Sequence, residues 1–179
     1  MKIFFCLYFA LCLSTSLFSQ DCVQLTYSSE SGQTGDTVSV DLTVQGADSI
    51  ILFLFATCFD TVALEYIDTE IVQSLEGLSQ QSIFVRDGVA RNFYSHPDLE
   101  PVNIVDSIPF LSYRFRIKDN GRRRTTIREC SEQLSAPGEF ISANRALEPI
   151  SNPICSTSCL LYTSPSPRDL STSRMPSSA

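Results

Sequence analysis

The clearest pattern in the chain runs over 37–45, where Val38, Val40, Leu42 and Val44 alternate with Thr37, Ser39, Asp41, Thr43 and Gln45. Strict period two in β-branched residues predicts a half-buried strand. A turn at 46–49 leads into the apolar run 50–56. That run is too short to cross a bilayer and is expected as a strand deep in a sheet, paired with the first. Upstream, Val23, Leu25 and Tyr27 alternate in an opening strand that ends in a turn at 28–32. Downstream, 59–67 continues the sheet, with a bend at Asp60-Thr61 and with Leu64 and Tyr66 as alternate apolar positions. Residues 69–81 are polar, with Ile71, Val72, Leu75 and Leu78 at near-helical spacing, and are expected as a short helix or a covering loop.

Asp87-Gly88 between 82–86 and 89–94 is a strong hairpin signal. Residues 95–107 hold two prolines and several carboxylates and are expected as a surface loop. In 110–118, Leu111, Tyr113, Phe115 and Ile117 oppose Phe110, Ser112, Arg114, Arg116 and Lys118, and a turn at 119–121 closes that strand. The last strands are expected at 125–130 and 140–150. Eight or nine short strands with almost no helix predict an all-β domain over 22–152. Its expected form is a two-sheet antiparallel sandwich of jelly-roll or Ig-like type, rather than a small barrel.

The ends of the 179-residue chain read differently from its middle. Residues 1–20 carry Lys2, an apolar run over 3–13 and then small and polar residues, the layout of a secretory signal peptide. Residues 153–179 are expected as a disordered tail. Within it, 159–169 and 173–179 resemble the translation of two segments of a sequencing-library adapter in one frame, separated by an index-sized gap. That origin predicts a truncated chain, and the source DNA decides it: codons that differ from the adapter would remove the idea.

Between residues 21 and 158 there are 10 Lys+Arg and 19 Asp+Glu, about nine net negative charges. Such a surface repels nucleic acid and anionic membrane. The cluster Arg122, Arg123, Arg124 and Arg128 reads as a charged turn between strands. Of the 7 cysteines, Cys22, Cys58, Cys130 and Cys155 fall inside the domain. Their number and long spacings suit up to two disulfides in an exported protein better than a zinc site, with the pairing left open.

In order along the chain, the opening Gly35-Asp36-Thr37-Val38-Ser39-Val40-Asp41-Leu42-Thr43-Val44, the apolar strand 50–56, and Phe59-Asp60 followed by Leu64-Glu65-Tyr66 resemble the cohesin-type module. Thr61 stands at that family's usual proline. The strand 111–117 followed by Gly121, and the stretch 139–150, fit in the same order. The resemblance covers about 22–150. It implies a jelly-roll sandwich that uses one sheet face to hold calcium-dependent dockerin modules, carried on exported multidomain bacterial proteins. The expected function is a non-catalytic extracellular or cell-surface interaction module, with a dockerin-like or other surface protein as partner. The alternative is a carbohydrate-binding module of an exported polysaccharide-degrading protein, with a polysaccharide as ligand.

No catalytic residues, metal ligands or cofactors are expected. His96 is the only histidine; it lacks a nucleophile elbow and is expected in an exposed loop. Asp98, Glu100 and Asp106 match no calcium-loop spacing and read as a solvated acidic loop. Phe93, Tyr94 and Tyr113 are candidate ligand-facing aromatics, set against core packing in a chain without Trp.

Overall fold

The computed structural model describes residues 22–118, 124–143 and 149–164. The expected leader over 1–20, the turn at 119–121, Arg122, Arg123 and everything beyond 164 lie outside the described residues. Within them the strands are β1 (Val23–Tyr27), β2 (Ser31–Gln33), β3 (Thr37–Gln45), β4 (Ile50–Phe59), β5 (Leu64–Ile71), β6 (Ile83–Arg86) and β7 (Val89–Ser95), followed by β8 (Pro109–Ile117), β9 (Arg124–Glu129), β10 (Glu139–Ala143), β11 (Pro149–Asn152), β12 (Ile154–Thr157) and β13 (Cys159–Ser164). Residues 72–79 form a covering loop, and single 3₁₀ turns occur at Gln80–Ser82 and Ser131–Gln133.

Two sheets lie face to face. The first has the order β12-β1-β3-β8-β5. The second is centred on β4, which pairs with β7 along one edge and with β10 and then β9 along the other; β6, β11, β13 and β2 extend it. Both sheets are mixed, because β1 pairs with β12, and β13 with β2, in parallel. The expected sandwich is present, but with thirteen strands among the described residues and not all antiparallel. Alternation reveals strands that bury one face. It carries no information about pairing direction or about short edge strands such as Ser31–Gln33, which join through main-chain hydrogen bonds.

The two strands expected to pair with each other do not. β3 lies between β1 and β8, whereas β4 is in the opposite sheet. Both present continuous apolar faces, Val38, Val40, Leu42 and Val44 on one and Phe53, Phe55 and Phe59 on the other, all buried. Facing across the core removes both from water, which side-by-side pairing would not by itself achieve. The crossing at 46–49 is propped by side chains of the following loop: Gly46 N–H donates to Asp106 Oδ1 (3.0 Å) and Ser49 N–H to Asn103 Oδ1 (2.7 Å).

The sheets also continue past the expected boundary at 152. In β13, Cys159 and Leu161 are buried, while Leu160 and Tyr162 face water. Two inward apolar residues at alternate positions suffice to seat a strand beside β9, whatever the origin of the stretch. Composition suggested a tail, and alternation outweighs it as far as Ser164.

The core is aromatic. Phe53 stacks on Tyr94 at 5.2 Å, meets Phe110 edge-on at 5.6 Å, and Phe59 packs on Phe115 at 5.0 Å. The expected β6–β7 hairpin forms, with Asp87 at φ 52° and Gly88 at φ 79°. Positive φ at both central residues matches the twist of the strands. A Cβ at Gly88 would lie 2.7 Å from the Phe59 carbonyl oxygen, so no other residue fits there without a shift.

The four domain cysteines pair as Cys22–Cys155 and Cys58–Cys130. A buried chain of hydrogen bonds ties one sheet to the other. The Tyr27 hydroxyl shares a bond with Thr57 Oγ1 (2.9 Å), which shares one with the Tyr113 hydroxyl (3.2 Å), and that hydroxyl donates to Asn92 Oδ1 (3.1 Å). Burial raises the Tyr27 and Tyr113 phenols above their ordinary range, so both stay neutral donors.

Candidate functional site

The outward surfaces of the two sheets differ in chemistry. On the first sheet, the outward residues of β3, β5 and β8 are mostly polar or charged, with Ile67 on β5 the exposed apolar exception. Ser112 Oγ donates to Asp41 Oδ1 (2.6 Å), Arg114 pairs with Asp68, and Arg116 with Glu65 (3.3 Å). The hydrogen bond from Arg114 holds the Asp68 carboxyl below its usual range. These groups satisfy one another within the sheet.

On the second sheet the outward surface over β4, β6 and β7 carries large apolar side chains. Inward Phe53, Phe55 and Thr57 leave Leu52 and Leu54 facing outward on β4, both half-buried. On β7 the alternation is inverted relative to polarity: Asn92 is buried in the hydrogen-bonded chain, so Arg91 and Phe93 point outward. Cross-strand register assembles the surface. Glu139, Leu54 and Phe93 form one row across β10, β4 and β7; Ala56, Arg91 and Phe84 form the next across β4, β7 and β6; Ile141, Leu52 and Ser95 lie on the other side of the first. Phe84 is 58% and Phe93 50% exposed, well beyond what isolated aromatics need, and they lie in adjoining rows. At spacings of about 4.8 Å per strand the patch spans about 15 Å from β10 to β6.

One end of this surface is closed. Ala56, Val89 and Cys130 form a small buried cluster, with Cys58 and Leu134 packed against it. The loop after β9 is fastened there by the Cys58–Cys130 disulfide, by Cys130 N–H to the Ala56 carbonyl (2.9 Å) and by Ala56 N–H to Ser131 Oγ (3.2 Å). The other end, with Leu52, Leu54, Phe84 and Phe93, stays open.

Of the three aromatics read from the sequence, only Phe93 reaches this surface. Tyr94 and Tyr113 are 1% and 0% exposed: they occupy inward positions of β7 and β8, which corrects their reading as ligand-facing rings and fits the packing role set against it. His96 is likewise 4% exposed. Its Nδ1 accepts the backbone N–H groups of Asp98 (3.2 Å) and Glu100 (3.1 Å), so it shapes the loop from inside, where an exposed histidine was expected. Among the described residues no group of three or more His, Cys, Asp or Glu is placed to hold a metal ion. Phe84, Arg91, Leu52 and Leu54 escaped sequence reading. The available signal was the pair Arg91 and Phe93 two apart in a strand whose intervening residue is a polar Asn.

The fold and this surface define a two-sheet jelly-roll module with one open apolar sheet face. Solved structures share that architecture. The seventh ScaB type I cohesin from Pseudobacteroides cellulosolvens matches at TM-score 0.66 and 14% identity, over 88% of this chain and 97% of that one. A type I cohesin in complex with a dockerin from Clostridium thermocellum matches at 0.61 and 16% identity, over 81% and 95%. A non-cellulosomal cohesin from the archaeon Archaeoglobus fulgidus matches at 0.55 and 13% identity, over 86% and 99%. The chain therefore has the cohesin fold, as the resemblance in its strand order implied. No family model matches the chain, and no curated protein matches it in sequence.

Proposed function

We propose that this chain is a non-catalytic, exported interaction module that holds a protein partner on the outer face of β10, β4, β7 and β6. The observation that carries this is the patch formed by exposed Phe84 and Phe93 with half-buried Leu52 and Leu54 beside them, because a contiguous apolar surface on a folded domain marks a contact surface. Cohesins of the same fold are seen in complexes with dockerins, which makes a dockerin the first partner to try. Export is supported by the two disulfides, which persist in oxidising compartments. Among the described residues no helix is long and apolar enough to cross a membrane. The polysaccharide alternative has less behind it, since two of its three candidate rings are buried.

The test is calorimetric titration of the chain with a panel of calcium-loaded dockerins, beside a Leu54→Asp, Phe93→Asp double variant. Binding to the native chain is expected, with a loss of at least tenfold in the variant at unchanged thermal stability. Undiminished binding by the variant would sink the assignment of this face.

A further inference from the structure

Resting on that reading of the face, we infer that its partner presents a carboxylate, an Asp or Glu set among apolar side chains, which pairs with Arg91. Arg91 is half-buried at the middle of the patch. Its cross-strand neighbours are Ala56 and Phe84, and its same-face neighbours along β7 are Val89 and Phe93, so no neighbouring position on this face supplies an anion.

The other arginines among the described residues are engaged. Arg86 pairs with Asp87, Arg114 with Asp68, Arg116 with Glu65 and Arg128 with Glu132, and the Arg124 guanidinium lies over the Tyr162 ring. Arg91 has no hydrogen bond, ion pair or ring contact with any described residue. The one carboxylate in the adjoining row, Glu139, lies two strands away beyond Leu54 and accepts from Ser151 Oγ at 2.6 Å.

A partner that covers Phe84 and Phe93 also takes Arg91 out of water. An unpaired buried guanidinium is costly, so binding requires an acceptor from the other side. The planar fork of donors fits a carboxylate with two parallel bonds. The same feature excludes partners that present Lys or Arg at that point, which the overall acidity of the chain would otherwise attract.

The test uses a random displayed-peptide library, selected in parallel on the native chain and on Arg91→Glu. The native chain is expected to enrich peptides with Asp or Glu flanked by Leu, Ile or Phe, and Arg91→Glu to enrich Lys or Arg at that point. The best native-selected peptide should bind Arg91→Met about tenfold more weakly or worse, with Arg91→Lys in between. Native-selected peptides without acidic bias, or with equal affinity for Arg91→Met, would overturn the inference. The Leu54→Asp, Phe93→Asp variant separates the two levels. Peptides that it retains sit elsewhere and overturn the docking face itself, whereas loss on that variant with full binding to Arg91→Met overturns only the carboxylate.

Discussion

Both outer faces of the sandwich are built from paired β-strands, yet the charges of one are paired within it and the other leaves aromatic rings in water. On the first sheet, Asp41, Glu65, Asp68, Arg114 and Arg116 find partners within the sheet. On the second, Phe84 and Phe93 stand in water beside Arg91, which has no counter-ion among the described residues. A surface whose charges are mutually neutralised has little electrostatic demand left for a partner, and a surface with exposed rings and an open charge has both area and direction to offer. The difference lies in which side of a strand carries its polar residue. In β8 the arginines point outward and the aromatics inward, whereas in β7 Asn92 points inward and pushes Phe93 out.

The largest expected effect comes from the closed end of the apolar face. Replacing Cys58 and Cys130 together by Ala removes a cross-link that spans 72 residues and should cost about 2–5 kcal/mol of stability. It would also free the loop that covers Ala56 and Val89. Urea unfolding measures the first effect and binding of a hydrophobic dye the second; a variant of native stability would show that the covered end holds nothing together.

Next in size is the link between the faces. Tyr113→Phe leaves Asn92 Oδ1 and Thr57 Oγ1 without their shared hydroxyl, at a cost of about 1–3 kcal/mol. The same link sets the alkaline limit. Tyr27 and Tyr113 have folded pKa values above the 10.0 of a free phenol. Their contribution is therefore fully present below about pH 10 and is lost as pH rises beyond it, when the unfolded chain ionises first. Unfolding midpoints across that range should fall for the native chain and fall less for Tyr113→Phe.

The smallest effects belong to the polar face. Arg116→Ala should cost at most about 1 kcal/mol, because the pair with Glu65 is half exposed and screened. Partner affinity should be unchanged, and a marked loss would place binding on the wrong sheet. Asp68 has a lowered pKa, so its contribution is present above the unfolded value and fades as pH falls through the folded one. Acid titration of Asp68→Asn against the native chain would show a narrowing of their difference.

Much of the fold was legible because its principal strands bury one side only. Val38 to Val44 and Leu111 to Ile117 alternate so regularly that their inward faces could be read directly, and Asp87-Gly88 marked its hairpin. The layer that each strand joined was not legible. β3 and β4 are neighbours in sequence and face each other across the core, a choice made by two apolar faces meeting and not by any residue of the intervening turn. The face itself was read only at Phe93. Its neighbours Phe84, Arg91 and Leu54 come from three strands, and no spacing in one chain segment shows that cross-strand register brings them together. Tyr94 was misplaced for a different reason: adjacent residues in a strand face opposite ways, so with Phe93 outward Tyr94 points inward.

The Cys22–Cys155 disulfide joins the residue before β1 to the strand β12 that runs parallel to it. Its consequence is mechanical. Once β13 is pulled from its place beside β9 and β2, a load applied between segments outside residues 22 and 155 passes through the sulfur atoms and leaves the residues between them out of the force path. With the bond reduced, the sequence separation of 133 residues could pay out as about 450 Å of chain at full extension. Single-molecule stretching with and without reductant should resolve that difference, and equal lengths in both conditions would show that the clasp carries no load. A module that holds a partner by one face and its host by its ends would then keep its shape under tension for as long as its surroundings remain oxidising.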